Sequence, residues 1–241
     1  NVFPMIIASV VWLPLILALI ERLVGRAERT PGHHLAGYIP ELACGSLAFG
    51  MVFLAGHPEM YYYVCLTSGI FALWRLAGLW IRGRSWLRVT AMAGGLLVMV
   101  GLGAGLGSAQ WVPLFDVVRY NFREGSATFK QVLGWAYPLR HVVALFIPDF
   151  YGNPTHHTYF DLFTRRIVPV TVDARGQPIN TIFWGIKNYV EGASYLGLLP
   201  ALLTAIALLK RKGERIWFFA LLALVSILFV FGNPLYIVVY K

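Results

Sequence analysis

Apolar residues along this chain gather into long runs separated by short basic stretches. A helix needs about 20 mostly apolar residues to cross a bilayer. Residues 3–20, 36–55, 60–81, 89–109, 194–209 and 216–232 meet or approach that length, which predicts six spans. Between 110 and 193 the pattern breaks up. Residues 115–132 read as an amphipathic, interfacial helix, and 139–147 are apolar but too short to span. At 169–172, β-branched residues ahead of the Gly/Pro stretch 174–178 predict a strand and turn.

The expected fold is all-α: a polytopic transmembrane helical bundle of about six spans, with a long extracytoplasmic segment of short or interfacial helices. It forms one membrane domain, with four spans in 1–109, the extracytoplasmic segment in 110–193, and two spans plus the start of another in 194–241. No basic signal-like start precedes the first run, and the chain opens without a methionine and stops on an apolar stretch. It therefore reads as an interior fragment of a longer protein.

Basic residues set the orientation. Arg22, Arg26 and Arg29 follow the first run; Arg82, Arg84 and Arg88 follow the third; Lys210, Arg211, Lys212 and Arg215 follow the fifth. By the positive-inside rule these are cytoplasmic, which places 56–59 and 110–193 on the extracytoplasmic side. The long segment carries eight Lys and Arg residues, but segments beyond about 60 residues translocate largely regardless of charge.

Composition agrees with this. The chain is 58% hydrophobic and 13% charged, against roughly 25% charged in soluble proteins. The net charge of +9 falls in short clusters between spans, and no basic helix or aromatic-basic motif accompanies it, so nucleic acid is not an expected partner. Membrane lipid is. Cys44 and Cys65 lie in apolar runs and are expected as small core residues.

The fourth run is laced with glycine, and Gly101/Gly105 and Gly103/Gly107 both have small-xxx-small spacing. Close helix packing is the direct explanation. A dinucleotide fingerprint is excluded, because no soluble strand precedes the run and the GxGxxG spacing is absent.

Candidate chemistry gathers on the predicted outer side. His57 and Glu59 flank Pro58 in a turn of very few residues between two spans, where ionisable groups face a cavity or simply sit at the headgroup level. Gln110 and Arg119 follow the glycine-laced run. Arg119 can hold a phosphate or carboxylate through its planar fork, or snorkel to lipid headgroups. Asp149 and Tyr151 lie in an aromatic, turn-rich segment, where Asp149 is a candidate base, sugar-hydroxyl acceptor or cap. Glu191, ahead of Tyr195, stands near a helix N-terminus and is a site residue or a cap. The adjacent His156 and His157 diverge and make poor partners for one metal ion, so neither a metal nor a cofactor is expected. The Gly-x-Ser-x-Gly, Walker and His-Glu-x-x-His motifs are absent.

In order, Gly56-His57-Pro58-Glu59, Ser108-Ala109-Gln110-Trp111-Val112-Pro113, Arg119, Pro148-Asp149-Phe150-Tyr151-Gly152 and Glu191-Gly192-Ala193-Ser194-Tyr195-Leu196-Gly197 resemble the bacterial YfhO-like family. That resemblance implies a GT-C-like fold and transfer of a sugar from a polyprenyl-phosphate donor on the outer membrane face. It implies substrate contacts from His57, Glu59, Gln110, Arg119, Asp149, Tyr151 and Glu191. Arg119 is expected on the carrier phosphate, and the carboxylates on sugar or acceptor hydroxyls. The GT-C catalytic acid sits in a first outer loop that this chain is expected to lack, so the catalytic residue is unknown. The rival expectation is a non-catalytic structural or accessory subunit of a larger membrane assembly. A transporter fits less well, because neither internal repeats nor paired broken spans are evident.

Overall fold

The structure, a computed structural model, describes residues 4–29, 35–120, 128–134, 136–137, 139–148, 150, 158–161, 165–169, 195–210 and 213–232. These are helical apart from one short hairpin, and the chain forms two compact units, Asn1–Glu124 and Gly125–Lys241.

In the first unit the helices are α1 (Pro4–Val10), α2 (Leu13–Arg29), α3 (Ile39–Leu54), α4 (Pro58–Ile81), α5 (Trp86–Leu106) and α6 (Ser108–Arg119). Three stretches are long and apolar enough to cross a membrane: Pro4–Arg29, Pro58–Ile81 and Trp86–Leu106, of 26, 24 and 21 residues. The chain is therefore a helical membrane protein. Ile39–Leu54 is apolar but shorter.

Local chemistry explains the breaks. Pro14 has no N–H to give to the Val10 carbonyl, so the first span turns at Val11–Trp12 and its ladder resumes with Ile16 N–H on Trp12 O at 3.0 Å. Pro58 opens α4 at a position where no N–H is needed. The first span also runs further than hydropathy predicts. Arg22, Arg26 and Arg29 lie on the last turns of α2 rather than in a loop, because their charge lowers apolarity without ending the helix.

Two parallel pairings organise this unit. On α3 and α5, a Cβ at Gly45 would strike Met99, one at Gly103 would strike Phe49, and one at Gly107 would strike Phe53. Steps of four on one helix match steps of four on the other, so both run the same way and large side chains fill glycine notches in both directions. Of the two predicted small-residue pairs only Gly103/Gly107 packs; a Cβ at Gly101 or Gly105 would meet nothing within 4 Å among the described residues. On α2 and α4, Glu21 meets Arg75 and Glu28 meets Arg82, each pair 54 residues apart in the chain. These two helices are therefore parallel too. The buried side chains of Ile16, Ile20, Leu23, Val24, Phe49, Val52, Val64, Phe71, Leu79 and Met99 lie between these helices.

The interfacial helix predicted at 115–132 is differently divided. α6 starts at Ser108, directly after the Gly107 break, and a separate short helix α7 covers Phe129–Gly134. Cys44 is exposed on α3 rather than a core residue, and both cysteines are free.

In the second unit, a 3-10 turn at Leu139–Leu145 occupies the predicted short apolar stretch. Strands β1 (Thr158–Asp161) and β2 (Arg166–Pro169) pair antiparallel, with Thr158 opposite Pro169. This hairpin adjoins the strand and turn predicted at 169–172. The strand ends where one was predicted to start, and 170–178 lie outside the described residues. Helices α8 (Leu198–Lys210) and α9 (Glu214–Val230) form an antiparallel pair joined at the basic turn, with no buried residue on either. Tyr137 N–H donates to Val230 O and Leu196 N–H to Leu145 O, both at 2.9 Å. The segment 137–145 is thus tied to the start of α8 and the end of α9.

Candidate functional site

Parallel packing of α3 on α5 determines what meets at the candidate site predicted around 56–59 and 110. Continuing the register past Gly107 and Phe53 brings Gln110 onto Gly56, where an added Cβ would lie 2.8 Å from the amide nitrogen. Gly56 also has φ +77°, a left-handed conformation that favours glycine. Turn geometry and the Gln110 contact therefore both call for the same small residue.

His57 follows in extended conformation and caps α4 through its backbone, its carbonyl accepting from Met60 and Tyr61 N–H at 3.1 and 3.2 Å. Its Nδ1 is shielded from solvent and has no hydrogen-bond partner among the described residues, so within them this ring edge is held in place without being satisfied. Glu59 is exposed and accepts from the Tyr63 hydroxyl, one helical turn on, at 3.3 Å. Trp111 donates from its indole to Ala104 O at 2.9 Å, bracing the junction of α5 and α6.

The structure thus gathers His57, Glu59 and Gln110 at one end of the first unit. It does not bring the Arg119 backbone to the same point. Arg119 closes α6, roughly 14 Å along the helix axis from Gln110 at 1.5 Å per residue. The Arg119 side chain, and Asp149, Tyr151 and Glu191, lie outside the described residues, as do His156 and His157. Tyr195 is exposed, and its hydroxyl accepts from Leu198 N–H at 3.3 Å, at the start of α8. Among the described residues no group of three or more His, Cys, Asp or Glu is placed to hold a metal ion.

The opposite end of the same unit holds a charged cluster that hydropathy conceals. Arg75, 3% exposed within the α4 span, pairs through Nε with Glu21 at 2.8 Å and through Nη2 with Glu28 at 3.1 Å. Glu28 also takes Arg82 at 2.6 Å. Two buried or half-buried carboxylates face two guanidiniums, so the charge balances where desolvation is costly. Arg84 and Arg88 donate to the Glu28 and Ala27 carbonyls, capping the end of α2.

Glu41, with its side chain 3% exposed in the first turn of α3, takes Arg26 at 3.1 Å and Arg22 at 3.5 Å. Its position near the helix N-terminus favours the charge as well. Glu41→Gln is expected to cost about 1–2 kcal/mol, less than a fully buried pair, because both arginines keep water contact. Arg22→Gln, at the 65%-exposed partner, is expected to change stability by under about 0.5 kcal/mol. Thermal unfolding of both variants in the same detergent checks the ranking.

Comparison of the chain with protein-family models, with curated proteins and with solved structures returned no match.

Proposed function

We propose that the chain is part of a membrane glycosyltransferase of the GT-C type, using a polyprenyl-phosphate-linked sugar at the outer face of a bacterial inner membrane. The observation carrying this proposal is the convergence of His57, Glu59 and Gln110 at the end of the helical unit remote from the arginine cluster. A phosphate-linked lipid substrate spans that same division, with its chain in the bilayer and its sugar in the outer aqueous layer.

In this proposal Arg119 holds the carrier phosphate, Gln110 and His57 line the sugar side, and Glu59, Asp149 and Glu191 orient hydroxyls, with Tyr151 beside them. No catalytic base is assigned. Six spans with 56–59 and 110–193 outside belong to the same proposal. The ties from Tyr137 to Val230 and from Leu196 to Leu145 support it, since they bring together stretches that this topology puts on one side.

The test is sugar transfer from labelled polyprenyl-phosphate donors by membranes containing the full-length protein. Arg119→Ala is expected to lower transfer roughly a hundredfold, the usual loss for one charged transition-state donor, with unchanged protein level. Absence of transfer from every such donor, or undiminished transfer by the variant, sinks the proposal.

A second reading, an accessory subunit of a larger assembly, has one observation in its favour. Gly101 and Gly105 meet nothing within 4 Å among the described residues, at a spacing that admits another helix. Stoichiometric co-purification with other chains, lost on Gly101→Leu, would support this alternative.

A further inference from the structure

At the arginine-rich end, ion pairs leave part of the positive charge over. Glu21 and Glu28 are matched by Arg75 and Arg82, and Glu41 is shared by Arg22 and Arg26. Arg29, Arg84 and Arg88 pair with no carboxylate among the described residues. Arg84 and Arg88 rest instead on the Glu28 and Ala27 carbonyls. These are consecutive carbonyls of one helical turn, with Arg29 the next residue, so three like charges are held around the end of α2. Neutral carbonyls satisfy donors without cancelling charge, and the helix end supplies only about half a negative charge. Each guanidinium has five N–H donors, so most are left for another acceptor.

The surroundings select that acceptor. Trp80 and Ile81 before the α4–α5 turn, and Trp86 and Leu87 after it, are 68%, 80%, 72% and 77% exposed. Tryptophans beside arginines at the end of a span mark the headgroup level of a bilayer. A soluble anion would answer the charge and leave this apolar rim in water, whereas a phospholipid answers both.

We propose that the α4–α5 turn and the end of α2 form a binding site for an anionic phospholipid. Arg29, Arg84 and Arg88 hold its phosphate, and its acyl chains lie over Trp80, Trp86 and Leu87. This site is independent of glycosyl transfer.

The test uses the full chain in phosphatidylcholine nanodiscs with increasing phosphatidylglycerol. Phosphatidylglycerol is expected to raise the unfolding temperature, to be retained through purification, and to lose its effect at high salt. The double variant Arg84→Gln/Arg88→Gln is expected to weaken phosphatidylglycerol binding roughly 25-fold, at about fivefold per arginine. Because those two arginines also cap α2, Arg29→Gln provides the arm that leaves the fold untouched, with roughly fivefold weaker binding. Equal behaviour in the two lipids, or Arg29→Gln binding like the parent, overturns the proposal. So does an equal rise in unfolding temperature when inorganic phosphate is added to phosphatidylcholine discs, which would make this a soluble-anion site.

Discussion

Arg75→Met is expected to lower folding stability by about 2–3 kcal/mol, because it removes a buried cation that bridges two half-buried carboxylates. Methionine fills much of the arginine stem's volume, so little of the loss comes from a cavity. Glu28 keeps Arg82 at 2.6 Å, so the lost contact that matters most is the 2.8 Å one to Glu21. Adding Glu21→Gln to Arg75→Met should therefore recover part of the loss, and Arg75→Lys should recover little, since a point charge cannot bridge two carboxylates as a planar fork does. Denaturant titration of the four proteins in one detergent decides it. A parent-like Arg75→Met protein would show that the network carries no net stability.

Gly103→Leu is expected to be comparably damaging, by about 3 kcal/mol or more, while Gly101→Leu on the same helix stays within about 0.5 kcal/mol. At Gly103 a Cβ would lie 3.0 Å from Ser46 O and 3.2 Å from Gly50 N, besides striking Phe49. Backbone atoms cannot swing aside, so α3 and α5 must separate. Because Gln110 reaches Gly56 only through this register, Gly103→Leu should also disperse the His57 end. The distance between spin labels placed at the exposed positions 59 and 110 should lengthen in Gly103→Leu and hold in Gly101→Leu. Equal unfolding temperatures for the two variants would refute the assigned packing face.

Much of the first unit was legible because apolar run length and turn chemistry act locally. The runs at 60–81 and 89–109 became α4 and α5, and Gly56-His57-Pro58 became the turn from α3 into α4. Spacing alone identified both glycine pairs, but either could have faced α3. The choice depended on where Phe49 and Phe53 stood on another helix. Arg75 was concealed because a single cation barely lowers the average of a 24-residue apolar helix. A sharper signal was available: Glu21 and Glu28 are seven residues apart, as are Arg75 and Arg82, and opposite charges at matching spacing on two helices predict a parallel pair. Glu41 could have been noticed three residues into a helix opened by Ile39 and Pro40. The candidate site was legible where helical register carries it, at His57, Glu59 and Gln110. Its remaining members come from 119–191, where predicted positions rest on motif order and not on helical register.

The Arg75 pairing also bears on how the protein enters a membrane. A charged residue inside a span opposes insertion by about 2.5–3.5 kcal/mol at mid-bilayer, and Glu21 imposes a similar cost on the first span. Neither helix is at ease in lipid alone. Glu21 is synthesised first and meets Arg75 only after 54 more residues have emerged. The first span should therefore wait beside the insertion machinery until α4 arrives, and both should be released into lipid together as a neutral pair.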